Sequence, residues 1–177
     1  MMASTGDRMN TIQRTSRTLR AFFILLAILV VLGTLTKWTH PVPHEVKTIA
    51  GVAFEGAALT GKIQTLWLVQ TLLTLALNLK VVYHVVTLLG LYSKGRLFTE
   101  ANVSQIRQLG LTMMFGLVIW MIGLIGVTPE ILAAQDQWLK IMPSFPGGAI
   151  INGGLMVYIS WIVNEGRLLR EEQDLVV

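Results

Sequence analysis

The stretch Gly-Arg-Leu-Phe-Thr-Glu at 95–100 returns as Gly-Arg-Leu-Leu-Arg-Glu at 166–171. Glycine, arginine, leucine and glutamate occupy the same places in both copies. Each copy follows a pair of apolar runs, so the sequence predicts one hairpin unit that occurs twice. This pattern indicates a fold, whereas neither copy points to a chemical activity.

The apolar residues of this chain form four runs, at 19–38, 63–92, 109–127 and 147–163. Of its 177 residues, 53% are hydrophobic and only 14% are charged, against roughly a quarter charged in soluble domains. Crossing a bilayer core of about 30 Å takes roughly 20 apolar residues, and tilt or local thinning accommodates the short fourth run. Only helices satisfy their own backbone over such spans. We therefore expect an all-α, integral membrane four-helix bundle.

The basic residues predict the orientation of these spans. Nine lie on one side, at Arg8, Arg14, Arg17, Arg20, Lys94, Arg96, Arg107, Arg167 and Arg170, and four on the other, at Lys37, Lys47, Lys62 and Lys140. Lysine and arginine in short loops stay cytoplasmic. Residues 1–18 and the tail 166–177 should therefore both lie inside, which makes the two hairpins parallel repeats. We expect the first run to stay uncleaved, because it is longer than a signal-peptide core and lacks a small-x-small site.

The loops carry signals of their own. Prolines and glycines in the loop 39–62 argue against one long regular element. Thr128 followed by Pro129 resembles a helix start, so we expect an amphipathic helix over 129–141 at the outer surface. On the inner side, Thr99 is a candidate N-cap, flanked by Phe98 and Val103 as a hydrophobic staple. A helix starting there should run into the third span.

Small residues indicate where the helices pack. Gly116, Gly123 and Gly126 lie on one face of the third span, and Gly153, Gly154 and Ser160 offer a similar surface on the fourth. Small residues let membrane helices approach closely. We expect these two spans to pack on each other, with a homodimer face as the alternative.

The second span holds the most unusual polar residues. Lys80 and His84 are four apart and so share a helix face, and Asn78 and Tyr83 are close by. A charged side chain inside a membrane span costs at least about 2.5–3.5 kcal/mol, so Lys80 should face protein or water. Together with Asn152, these residues are candidates for a proton or anion relay or a ligand site in a small-solute or ion transporter. The alternative is that the second span lies closer to the cytoplasmic side of the membrane, so that the Lys80 side chain reaches the interface.

Other chemistry has weak support. His40, His44 and Glu45 are zinc-type ligands, but Pro41 and Pro43 disfavour the helix that would align them. The chain has no cysteine, no second intramembrane histidine for haem, and no Walker, Gly-x-Ser-x-Gly or His-Glu-x-x-His motif. We expect no catalytic residues, no cofactor and no enzyme. The net charge of +4 comes from residues beside the spans, so direct nucleic-acid binding is not expected.

The motifs at the inner side have two interpretations. In the structural one, glycine ends the helix, arginine lies at the headgroup level and leucine dips into the interface. In the functional one, the two surfaces dock a cytoplasmic partner. Their candidate residues are Gly95, Arg96, Phe98, Thr99, Asn102, Arg107, Gly166, Arg167, Glu171, Glu172 and Asp174.

These motifs also resemble a known family. Gly95 to Val103 with Ile106 to Gly110 is similar to the middle loop "G-x-x-F-T-x-x-N … L/I-R-x-L/I-G" of the bacterial domain of unknown function 2975. The ending from Glu165 to Val177 resembles its tail "G-x-x-L-x-E-E-x-D-L-T-V", with Val176 in place of threonine. The resemblance covers about 20–177. It implies a multi-pass protein of the bacterial inner membrane. Because genes of this family often lie beside genes for small helix-turn-helix regulators, it also implies, by analogy, a regulatory or sensory role with such a regulator as partner. It implies no catalytic residues.

Overall fold

The computed structural model describes residues 5–39, 47–50, 52–54, 61–96, 98–133, 140–141 and 146–174. The described part contains four long helices and three short strands. In chain order they are α1 (Thr5–Thr39), β1 (Lys47–Ile49), β2 (Val52–Phe54), α2 (Gly61–Ser93), α3 (Glu100–Ala133), β3 (Lys140–Ile141) and α4 (Gly147–Asp174). All four helices are long and apolar enough to cross a membrane, which confirms that the four apolar runs are helical.

The helices pack in chain order, α1 on α2, α2 on α3 and α3 on α4. Within the described residues, α1 and α4 make no substantial contact, so the four helices form an open row rather than a closed bundle. Large apolar side chains stay exposed on every helix, among them Leu29 at 56%, Ile125 at 67% and Ile151 at 72%. Apolar surface of this extent is covered by lipid in a membrane protein.

A small antiparallel sheet in the order β1-β2-β3 joins the two loops at one end of the row. Ile49 pairs with Val52 across a two-residue turn, in which Ala50 has a positive φ of 50°. Ile49 and Val127 are fully buried here and pack with Ile63. The sheet was not predicted, although a two-residue turn between β-branched residues is a hairpin signal.

The amphipathic helix expected over 129–141 is wrong in its bounds. The third helix continues through Pro129 to Ala133, and Lys140–Ile141 is a strand paired with Val52 and Ala53. Thr128 is not an N-cap, because its hydroxyl donates to the carbonyl of Leu124 at 2.8 Å. Proline in the last turn removes only one helical hydrogen bond, so the helix passes it. The residues 134–139 lie outside the described part.

The glycines of α3 serve two different helix contacts. Gly110 faces Gly153 of α4, where a Cβ on either residue would lie 2.6–2.7 Å from the carbonyl oxygen of the other. Gly116 and Gly126 face Leu77 and Leu66 of α2 instead. The predicted contact of the third and fourth spans is thus confirmed, but its partner on α3 is Gly110.

The remaining predicted small residues divide in the same way. Gly123 packs against Gln70 of α2, so it too is absent from the α4 contact. Ser160 of α4 is buried, whereas a Cβ on Gly154 would meet nothing within 4 Å. The α3 stripe of glycines therefore lets α2 approach, because three residues at spacings of seven and three face one neighbour.

Candidate functional site

The opposite end of the row from the sheet carries the predicted motif residues. The turn between α2 and α3 lies against the start of α1, since a Cβ on Gly95 would lie 2.9 Å from the Gln13 Nε2 atom. About one and a half turns earlier, a Cβ on Gly90 would lie 3.7 Å from the Arg20 Nη1 atom. The first half of α1 therefore lies against the last part of α2 and the turn at Gly95.

Gly95 ends α2 with a left-handed residue, at a φ of 70°. The amide of Arg96 donates to the Leu91 carbonyl at 3.1 Å, and the amide of Gly95 donates to the Tyr92 carbonyl at 3.0 Å. This pair of hydrogen bonds is the Schellman motif, which satisfies the last carbonyls of a helix. The prediction that Gly95 ends the second span is confirmed.

Thr99 and Asn102 join this turn to α3. The amide of Asn102 donates to the Thr99 hydroxyl at 3.4 Å, so Thr99 is the N-cap that the sequence predicts. Asn102 is 1% exposed, and its side-chain amide donates to the carbonyl of Arg96 at 2.7 Å. Phe98, at a φ of 58°, is 54% exposed. Asn102 therefore fixes the turn, while the Phe98 ring lies on the surface.

We expect Asn102→Ala to lower the free energy of unfolding by about 1 kcal/mol, because it removes a buried hydrogen bond to the turn. Chemical unfolding in mixed micelles, followed by circular dichroism, measures the change. Asn152→Ala is the control, since Asn152 is exposed on α4. Equal effects of the two substitutions would contradict the role of Asn102.

Gly166 does not end α4. The prediction that glycine ends the helix is therefore wrong for the second copy of the motif. The helix runs unbroken from Gly147 to Asp174, and a Cβ on Gly166 would meet nothing within 4 Å. The Arg167 Nη1 atom donates to Glu171 at 2.7 Å, one turn on. A glycine inside a helix with good helix formers on both sides costs about 1 kcal/mol but does not stop the helix. The two copies of the motif therefore differ in structure.

A wide groove of about 800 Å³ lies between α3 and α4 at this end. Its α3 wall includes Glu100, Ser104 and Arg107. Its α4 wall is formed by Gly154, Val157, Tyr158, Ser160, Trp161, Asn164 and Arg167. The predicted motif residues Arg107 and Arg167 thus both line one groove, although they are 60 positions apart in the sequence.

The two arginines differ in their partners. Arg167 bonds to Glu171 and, at 3.4 Å, to the Asn164 side-chain oxygen, while its Nε atom is buried without a partner. Arg107 is exposed and, within the described residues, makes no hydrogen bond or ion pair through its side chain. The groove therefore offers one free guanidinium and one that is partly satisfied.

His84 is buried at the seam between α2 and α3, with 3% of its surface exposed. Its Nδ1 atom is 2.8 Å from the Gln105 Oε1 atom, so Nδ1 carries the proton and donates. Its Nε2 atom is buried and has no partner. His84 thus ties α2 to α3, a role for which Gln105 was not predicted.

Lys80 does not share the surroundings of His84. It is exposed, and it borders a small apolar groove of about 210 Å³ between α2 and α3 together with Leu77, Thr112 and Phe115. Its side chain has no hydrogen-bond or ion-pair partner within the described residues. The sequence predicted that Lys80 faces protein or water. Lys80 is exposed at the edge of the seam between α2 and α3, because a four-residue step from His84 rotates about 40° around the helix.

The other polar candidates are dispersed. Asn78, Tyr83 and Asn152 are all exposed, and α4 packs on α3 rather than on α2, so Asn152 does not join Lys80. Glu172 is exposed, and Asp174 is the last residue of α4. The weak metal candidates His40, His44 and Glu45 lie outside the described residues.

A comparison with known families agrees with the motifs at this end. The model of a family described as a protein of unknown function, DUF2975, matches residues 23–177. The chain belongs to the DUF2975 family. No curated protein and no solved structure matches it significantly. The description of DUF2975 assigns no activity, so the candidate site stands on its geometry.

Sequence reasoning missed several groove residues, among them Ser104, Tyr158, Trp161 and Asn164. Their spacing was visible, since steps of three and four residues from Gly154 to Asn164 lie on one helix face. The small residues of that face were assigned to the contact with α3, but the larger side chains beside them were not, because periodicity does not show which residues line a groove next to a contact.

Proposed function

We propose that this DUF2975 protein is a non-enzymatic regulatory or sensory protein of the bacterial inner membrane that docks a cytoplasmic protein on the projecting end of α4. The support is that α4 does not stop at Gly166. It continues 13 residues beyond Trp161, about 20 Å at 1.5 Å per residue. Tryptophan is favoured at membrane interfaces, so this last part of the helix extends into water.

The projecting end has the character of a docking surface. Leu168 and Leu169 are 39% and 54% exposed, and Arg170, Glu171 and Glu172 surround them. An exposed apolar pair inside a charged rim is typical of a helix that binds a partner. Phe98 is exposed at the same end of the row. The charge count of the loops places this end in the cytoplasm.

A small helix-turn-helix regulator, expected from the family resemblance, is the partner that we propose. A helix-turn-helix protein held at the membrane would be kept from its DNA, so the membrane protein would regulate without touching nucleic acid. The proposal needs no cofactor and no catalytic residue in this chain.

The transport alternative has less support from the geometry. A relay through Lys80 and His84 needs neighbouring polar groups, but Lys80 is exposed and His84 is bonded to Gln105 inside the seam. No chain of hydrogen bonds joins the two in the described part of the chain. We therefore place docking before transport.

A photo-crosslinking amino acid at Leu169 tests the docking proposal in cells that express the full chain. We expect a discrete cross-linked product whose protein component is a small DNA-binding regulator. The same amino acid at Leu29, which is 56% exposed on α1 within the apolar run, is the matched control and should label lipid only.

Two further outcomes decide the proposal. Leu169→Asp should abolish co-purification of the cross-linked protein, because it places a charge in the apolar pair. Identical products at Leu169 and Leu29, or co-purification that is unchanged by Leu169→Asp, would refute docking on α4.

A further inference from the structure

The groove between α3 and α4 has a chemistry that protein docking does not explain. Its inner part is formed by Gly154, Val157 and Tyr158, which belong to the apolar fourth span. A soluble partner could not reach this depth. The groove therefore opens to the bilayer along part of its length and to the headgroup region at the end of the row.

The positions of the groove residues along the axes of α3 and α4 follow from the place where the two helices cross. Gly110 lies beside Gly153 and Val157, and Gly153 lies beside Met114. Since α3 and α4 run in opposite directions, this contact places Arg107 about level with Tyr158, and Ser104 about level with Trp161. Arg167 lies further out, beyond Asn164. The groove thus passes from an apolar inner part, through two aromatic rings, to polar groups.

We propose that this groove binds one anionic phospholipid, with its phosphate between Arg107 and Arg167 and an acyl chain along Gly154 and Val157. Basic pockets between membrane helices at the cytoplasmic side are suited to anionic headgroups. Arginine binds phosphate through two parallel hydrogen bonds. Arg107 has no partner of its own in the described part of the chain, and the buried Nε of Arg167 has none either.

The other groups of the groove fit the same occupant. The rings of Tyr158 and Trp161 are 6.1 Å apart and are 56% and 61% exposed, as is typical of side chains at the glycerol level of a membrane. Ser104 and Asn164 offer neutral hydrogen bonds. Glu100 also borders the groove, about 10 Å along α3 from Arg107 and about level with Glu165. Its carboxylate therefore weakens the positive charge at the Arg167 end and leaves Arg107 as the stronger phosphate ligand. A volume of about 800 Å³ falls within the usual range for a ligand site.

Native mass spectrometry of the delipidated full chain tests the proposal. The probes are phosphatidylglycerol and phosphatidylcholine with identical acyl chains. We expect the first bound lipid to be phosphatidylglycerol, with about tenfold preference over phosphatidylcholine. Both lipids carry a phosphate, but the choline cation of phosphatidylcholine would lie near the two guanidinium groups and be repelled by them. Competition by inorganic phosphate and by glycerol phosphate distinguishes a lipid site from a site for a soluble anion. We expect neither to displace the lipid.

Amino-acid substitutions test whether the lipid binds in this groove. Arg107→Gln and Arg167→Gln should each reduce the preference about threefold, because the two guanidinium groups share it, whereas Arg17→Gln, at an exposed arginine of α1 toward the same end, should leave it unchanged. Glu171→Gln should retain or increase binding, because it releases Arg167 from its ion pair. Gly154→Leu should block the inner groove, since Gly154 lines it and nothing lies within 4 Å of a Cβ there.

Several results would overturn the proposal. They are equal binding of the two lipids, displacement by inorganic phosphate, an equal loss in Arg17→Gln, or unchanged binding in both Gly154→Leu and Arg107→Gln. None of them bears on the Leu169 cross-link, so lipid binding and protein docking can fail independently.

Discussion

Gly153→Ala is expected to lower the free energy of unfolding by about 2–3 kcal/mol. The added Cβ would lie 2.7 Å from the carbonyl oxygen of Gly110 and 3.1 Å from the backbone nitrogen of Met114. Backbone atoms cannot rotate away as a side-chain end can. The helices α3 and α4 must therefore separate, and overpacking of this kind typically costs about 1–3 kcal/mol.

Gly154→Ala is the matched control for this prediction. The two glycines are adjacent in α4, but a Cβ on Gly154 would meet nothing within 4 Å. Alanine there should leave the free energy of unfolding unchanged or raise it by up to about 1 kcal/mol, because alanine is the better helix former. Unfolding titrations of both variants in the same mixed micelles, followed by circular dichroism, give the comparison. Equal stabilities would mean that α3 and α4 do not cross at Gly110.

The four helices could be predicted from the sequence because the bilayer imposes a simple requirement on it. Each run of about 20 apolar residues must be helical in hydrocarbon, and this holds whatever its neighbours are. The start of α3 was predictable for a local reason as well, since the hydroxyl of Thr99 bonds to an amide three residues away. Signals of this kind need no knowledge of tertiary packing.

The contact of the third and fourth spans was predicted, but the residues through which the helices meet could not be, because they depend on which faces meet. Gly116, Gly123 and Gly126 form a visible stripe, yet the stripe faces α2, while the single Gly110 provides the approach to α4. In the same way, the spacing of Lys80 and His84 suggested one shared site. A rotation of about 40° between them places one at the buried seam and the other at its edge.

The candidate site, too, could be predicted only in part from the sequence. Arg107 and Arg167 were predicted as members of two separate cytoplasmic motifs, and their residue types gave the basic character of that end. Their convergence in one groove depends on the antiparallel packing of α3 and α4 and on the continuation of α4 past Gly166. The sequence suggested a stop at Gly166 by likeness to Gly95. The helix formers Arg167, Leu168 and Leu169 outweigh one glycine.

Substituting alanine at Gly95 and at Gly166 is expected to change stability in opposite directions. At Gly95 the φ of 70° is a conformation that an L-residue adopts at a cost of about 1–2 kcal/mol. The new methyl group would also displace the Gln13 side chain, which lies 2.9 Å from its position. Gly95→Ala should therefore lower the free energy of unfolding by about 2 kcal/mol.

At Gly166 the backbone is helical and the surroundings are open, so alanine should raise the free energy of unfolding by about 0.5–1 kcal/mol. The same micelle titrations measure both variants. Gly95→Asn is a useful third variant, because asparagine tolerates the left-handed conformation and should recover part of the loss. If the two motifs were equivalent turns, both alanine variants would be destabilised alike. Opposite signs would instead show that one sequence phrase ends a helix at 95 and continues a helix at 166.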